Sequence, residues 1–321
     1  MKFPLLEILS RGFPDRTTPR RLAAIGGCFA ACTLAGLAPT QAGLIIVAIE
    51  GDIETPSPNM VGGGNLTTIF TQAVLNWQAA YTDPAQEWTV TMTYNWAMLG
   101  TDLVAQFTNP VVDEETGRIL AGTITFNNSE DLPISWFADP NPELVMNNPF
   151  FNSGPVVTNW EVDAGGEIVE LNMGTGFIAT PGSLADGRVD LLTIAMHEIG
   201  HGLGLLFSPP TYETPHPLMV TEDVSSFYAG HEILVSQGEH LSFPSLMARS
   251  TDPGLRFYPS SNDILAMATI SDFHNPNLNP YNIPGIPVPE PSSLTLGLAS
   301  LALLGWRRRW KTKPSARATT E

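Results

Sequence analysis

Cysteine is almost missing from this chain: 321 residues contain only Cys28 and Cys32, and both precede residue 43. The rest of the chain therefore has no disulfides, no Cys₄ zinc site and no cysteine-based latency. Lysine is equally scarce. Of the 15 lysines and arginines, 5 lie before residue 43 and 6 after residue 288, leaving Arg118, Arg188, Arg249 and Arg256. Against those four stand 28 of the 32 acidic residues, so the stretch from 43 to 288 carries a net charge of −24. Such a surface repels nucleic acid and anionic lipid and suits a soluble extracellular protein. It could also hold Ca²⁺, although no calcium-loop spacing is present. No internal repeat is visible.

The missing positive charge sits at the two ends. Lys2, Arg11, Arg16, Arg20 and Arg21 precede an apolar stretch from Leu22 to Leu37 and the small-residue site Thr40-Gln41-Ala42. This order of basic, apolar and small residues predicts a signal peptide over 1–42, cleaved after Ala42. The residues flanking Arg20-Arg21 fit the general secretory route better than twin-arginine export. At the other end, Pro287-Val288-Pro289-Glu290-Pro291 leads into an apolar run from Ser292 to Trp306, then Arg307, Arg308, Arg309 and Lys311. A short membrane span with a cytoplasmic basic cluster is the plain expectation, a transient anchor through a C-terminal helix. The segment 288–311 also resembles a PEP-CTERM sorting signal, with its three parts in order. That resemblance implies removal of the tail by an exosortase in a Gram-negative bacterium, with delivery to the envelope, surface or extracellular matrix.

Between the ends, roughly 245 residues suffice for one large core. Gly43 to Ile49 reads as a strand buried on both faces. After a loop rich in proline and glycine, Asn65 caps a helix with Leu66, Ile69, Phe70, Ala73, Trp77 and Tyr81 on one face. Thr89 to Trp96 and Leu120 to Phe126 alternate as half-buried strands, with Asp113 to Gly117 a solvated turn between them. Residues 127 to 165 show little periodicity, and Trp136-Phe137 is expected to plug a loop onto the body. Ile168 to Met173 is a further strand. Residues 276–287 read as a Pro/Asn-rich linker.

The chemistry centres on Met196-His197-Glu198-Ile199-Gly200-His201-Gly202-Leu203-Gly204. On a helix, His197 and His201 project from one face about a turn apart, a spacing that lets two imidazoles hold one Zn²⁺. Glu198 then reaches water at the ion without being a ligand. Asp186 is the expected N-cap and Gly204 the point of exit. A catalytic zinc usually has three protein ligands and an open position. The remaining histidines offer His216, His231, His240 and His274; Glu222, Asp223, Glu232 and Glu239 are carboxylate alternatives.

His197-Glu198-x-x-His201-x-x-Gly204, followed by Leu246-Met247-Ala248, resembles the metzincin branch of the zincin superfamily. Phe207 stands where the compact motif has its third histidine. In leishmanolysin-like metzincins that histidine is displaced to just before the Met-turn, which here looks like His240 ahead of Met247. The resemblance implies an α+β zincin-like domain over 43–275: a mixed twisted sheet, a long zinc-binding active-site helix, a Met-turn and a C-terminal helix. Asn262 to Ala268, with Ser260 or Ser261 as N-cap, is similar to that last helix. It implies zinc on His197, His201 and His240, with Met247 beneath. It further implies hydrolysis of a protein or peptide substrate with Glu198 as general base, an edge strand such as Ile168 to Met173 aligning the peptide. The alternative is a non-catalytic matrix protein on a degenerate zincin fold, which Phe207 supports.

Overall fold

The computed structural model describes residues 43–51, 55–83, 85–206, 217–236 and 239–286. The expected signal peptide over 1–42, Phe207, His216 and the sorting segment lie outside them. The chain divides into Met1–Pro287 and Val288–Glu321, and every described residue belongs to the first unit.

In chain order come β1 (Leu44–Glu50), β2 (Met60–Val61), α1 (Leu66–Gln78), β3 (Trp88–Ala97), β4 (Ala105–Val112) and β5 (Ile119–Asn127). Next are β6 (Trp136–Phe137), β7 (Val156–Ala164), β8 (Glu167–Ile178), β9 (Val189–Asp190) and α2 (Leu191–Gly202). Four two-residue strands follow: β10 (Leu218–Met219), β11 (Glu232–Ile233), β12 (Val235–Ser236) and β13 (His240–Leu241). The described chain closes with β14 (Leu255–Tyr258) and α3 (Ser261–Ser271). The class is mixed α+β, with few helices and several sheets.

The main sheet has the order β1-β3-β5-β4, with β1, β3 and β5 parallel and β4 antiparallel along β5. Alternation in β3 buries Trp88, Val90, Met92, Tyr94 and Trp96. Both α1 and α2 pack on that face. Phe70 of α1 stacks on Tyr94 at 4.3 Å, and Gly202 of α2 approaches Met92. The α1 stripe is the one its spacing predicts: Leu66, Ile69, Phe70, Ala73 and Trp77 are buried, and Asn65 Oδ1 accepts the Thr68 N–H at 2.9 Å. Each large side chain in that stripe contributes about 1.5–3 kcal/mol of burial. The indole N–H of Trp77 then donates to the Met196 carbonyl at 2.8 Å, locking α1 against α2.

Three expectations change. β1 is an edge strand whose Val47 and Ile49 are exposed, not a strand buried on both faces, because helices cover only the side of Leu44 and Ile46. β7 occupies part of a stretch without periodicity. Lying at the edge of the antiparallel sheet β14-β8-β7, it exposes residues of both faces, so no alternation marks it. Asp190, not Asp186, caps α2, accepting the Thr193 N–H at 3.0 Å. Asp186 instead accepts the Gly182 N–H in a turn.

Trp136 and Phe137 are fully buried, held in the parallel set β2-β6-β9. The expected linker residues pack on the body: Leu278, Ile283 and Ile286 are buried, and the Tyr281 hydroxyl donates to the Asn76 carbonyl at 3.0 Å. Among the described residues no helix is long and apolar enough to cross a membrane; the run Ser292 to Trp306 lies outside them.

Candidate metal centre

Two structural segments build the site. Helix α2 delivers His197, Glu198 and His201 from one buried face. Strand β13, paired to β12 through Ser236 and His240, delivers His240. The ligand atoms of His197, His201 and His240 all lie within 4.8 Å of one another, and the three residues are buried. No other such group of three exists among the described residues. His231 instead stands near Asp163 and Asn262, and His274 pairs with Asp272 at 3.6 Å.

Backbone carbonyls orient two of the three rings. His197 Nδ1 lies 2.9 Å from the Leu246 carbonyl oxygen and His201 Nδ1 2.5 Å from that of Leu205. A carbonyl only accepts, so each Nδ1 carries the proton and each Nε2 presents a bare lone pair. Those two Nε2 atoms face each other at 3.0 Å. Two lone pairs so placed repel unless a proton or cation lies between them. Burial, reinforced by the neighbouring His201, pushes His197 down to about 3, and burial pushes His201 down to about 4. Burial also drives His240 far below its ordinary value, helped by His201, His197 and Arg249. Protonation is thus disfavoured, and a metal cation is what the arrangement fits. Zinc–nitrogen bonds of about 2.0–2.1 Å at a tetrahedral angle place two ligand nitrogens about 3.3 Å apart.

Unpaired polar atoms mark the same place. Among the described residues, neither ring nitrogen of His240 and neither carboxylate oxygen of Glu198 has a hydrogen-bond partner, although both residues are almost wholly buried. Burial, then the charge of Glu239, pushes the Glu198 carboxyl up to about 8. The Phe107 backbone in β4 opposes the shift without closing a hydrogen bond of normal geometry. A cation at the triad would draw the carboxyl back down.

The floor is made by the turn before Met247. Met247 is fully buried, and a Cβ on Gly200 would overlap its sulfur. The segment is pinned by Asp263 of α3, which accepts the amides of Leu246 at 3.2 Å and Met247 at 3.0 Å and the hydroxyl of Ser245. Asp263 also completes a capping box with Ser260. The helix leaves the site through Gly204, at φ +125, where a Cβ would press on Ile270. That turn lets Leu205 come back to His201.

Sequence reasoning missed the buried Arg256. It donates two hydrogen bonds to Asp190, at 2.7 and 3.0 Å, and one to Asp139 at 2.7 Å. These bonds tie β14 to the first turn of α2. Ile168 to Met173, expected to align a peptide, lie in β8 and pair with β7 on one side, while β14 pairs only with Thr175 to Ile178; among the described residues the edge strand that comes beside Glu198 is β4.

Comparison with known families matches residues 287–309 to the PEP-CTERM protein-sorting motif. Comparison with curated proteins gives no match for the chain. The motif marks a protein exported and sorted through its C-terminus to the cell envelope or surface of a Gram-negative bacterium, with processing of the exosortase type.

Proposed function

We propose that this is a zinc metalloendopeptidase of metzincin type, delivered to the cell surface, with a leishmanolysin-like displaced third histidine. The observation that supports this most directly is the convergence of His197, His201 and His240 around two facing lone pairs, with the unpaired Glu198 carboxylate beside them. The three histidines would hold Zn²⁺, which supplies Lewis acidity toward water and the scissile carbonyl.

The remaining work falls to the chain itself. Glu198 takes a proton from the attacking water and passes it to the leaving amine, a task for a carboxylate whose oxygens are not already engaged. Leu246 and Leu205 hold the tautomers that aim both Nε2 atoms inward. An extended peptide adds antiparallel to the free edge of β4, which passes Glu198 at Phe107. The mixed sheet ending in an antiparallel edge strand, the helix, the buried methionine turn and α3 all agree with the zincin plan.

Glu198→Gln is the direct test. The variant should retain one zinc per chain and lose at least about 10²-fold in peptide hydrolysis, the usual worth of a positioned general base. Wild-type rates in a zinc-loaded Glu198→Gln protein would refute the reading.

A further inference from the structure

The third histidine lacks what the other two have. His197 and His201 each rest Nδ1 on a backbone carbonyl, whereas among the described residues neither ring nitrogen of His240 has a hydrogen-bond partner. The Oε1 of Glu239 lies 3.7 Å from its Nδ1, and both side chains are nine-tenths or more buried. Glu239 does not belong to the converging ligand set, which contains histidines alone. Its carboxylate meets the ring at Nδ1 rather than joining the three converging nitrogens.

Building on the metal-site reading above, we propose that Glu239 is the positioning residue of the centre, taking the Nδ1–H of His240 so that Nε2 is presented to a divalent cation. A carboxylate behind a ligating imidazole fixes the tautomer, orients the ring and raises its basicity. It also supplies charge. A doubly charged cation inside a buried site needs compensation that three neutral imidazoles do not give, and Glu198 provides only one negative charge. Glu239 adds a second, buried against the ring of His240.

The test is metal affinity, measured by zinc competition with a chromogenic chelator on wild type, Glu239→Gln, Glu239→Asp and His240→Ala. Visible spectra of the cobalt-loaded proteins are recorded alongside. Glu239→Gln should bind zinc about 10- to 100-fold more weakly, the usual cost of losing such a partner, while its cobalt spectrum keeps the wild-type ligand-field pattern. Glu239→Asp should recover part of the affinity; it also supplies the reading if the glutamine variant does not fold. Zinc affinity in Glu239→Gln within twofold of wild type would overturn this inference alone. A cobalt spectrum altered as in His240→Ala would overturn it by making Glu239 a ligand. Absence of metal binding by the folded wild type would overturn it together with the peptidase reading.

Discussion

The Asp263 carboxylate accepts the backbone N–H of Met247 at 3.0 Å, joining the first turn of α3 to the turn beside the histidine triad. The same side chain takes the Leu246 amide, the Ser245 hydroxyl and the Ser260 amide and hydroxyl. Leu246 in turn holds His197 through its carbonyl. One buried acid thus sets the position of a histidine on another helix.

Asp263→Ala should therefore cost about 3–5 kcal/mol, since it leaves several buried donors without an acceptor. Urea denaturation would show the loss as a lower midpoint. Weaker zinc binding should accompany it, because the Leu246 carbonyl is no longer held. A loss below about 1 kcal/mol would contradict this role.

Gly200 and Met247 make a second pair. Gly200→Ala should cost about 1–3 kcal/mol because the new Cβ overlaps the methionine sulfur. Met247→Ala removes the overlap at the expense of a cavity. A double-mutant cycle should then show favourable coupling, the double variant being more stable than the sum of the singles predicts. Additive losses would mean that the two residues are not in conflict.

Arg256 lies buried between Asp139 and Asp190, over the ring of Phe151 at 4.3 Å. Arg256→Met should destabilise by about 3–5 kcal/mol, because two buried carboxylates lose their cation. Arg256→Lys should recover little, since an ammonium cannot make the paired contact with Asp190. Full recovery by lysine in thermal or urea unfolding would contradict the bidentate account.

How much of this was legible in the sequence follows from local signals. The zinc-type spacing on α2, the cap at Asn65, the Ser260 cap and the alternation of β3 are written in short windows, and the structure has them in place. β4 is not readable that way. Asn109, at φ +54, Pro110 and a register shift after Thr108 break its alternation. The cap of α2 was misplaced by four residues because Asp186 and Asp190 look alike locally. Asp190 is selected by Thr193 and by Arg256, 66 positions away. The convergence of His240 is likewise tertiary: spacing made it a candidate, and only the pairing of β13 with β12 and the bond from Leu241 to Met247 put it beside α2.

Acid should destabilise the metal-free protein through the triad. The folded-state values of His197 and His201 are depressed to about 3 and about 4, and that of His240 is lower still. Unfolded histidine titrates near 6.5. Below that pH the unfolded chain takes up protons that the folded chain refuses, so the stability is complete above about 6.5 and falls as the pH drops toward 4 and 3. Each histidine should cost about 2 kcal/mol by pH 5. Urea midpoints of the metal-free protein at pH 7.5 and 5 would measure it. Replacing the three histidines by glutamine should flatten the dependence; an unchanged slope would contradict the assignment.

The most direct measurement is zinc stoichiometry of the purified protein after remetallation, for wild type and His240→Ala, with folding checked by circular dichroism. The account predicts one tightly held zinc per wild-type chain and its loss from the variant. A folded wild type without zinc, or a His240→Ala protein that keeps it, would contradict the three-histidine centre.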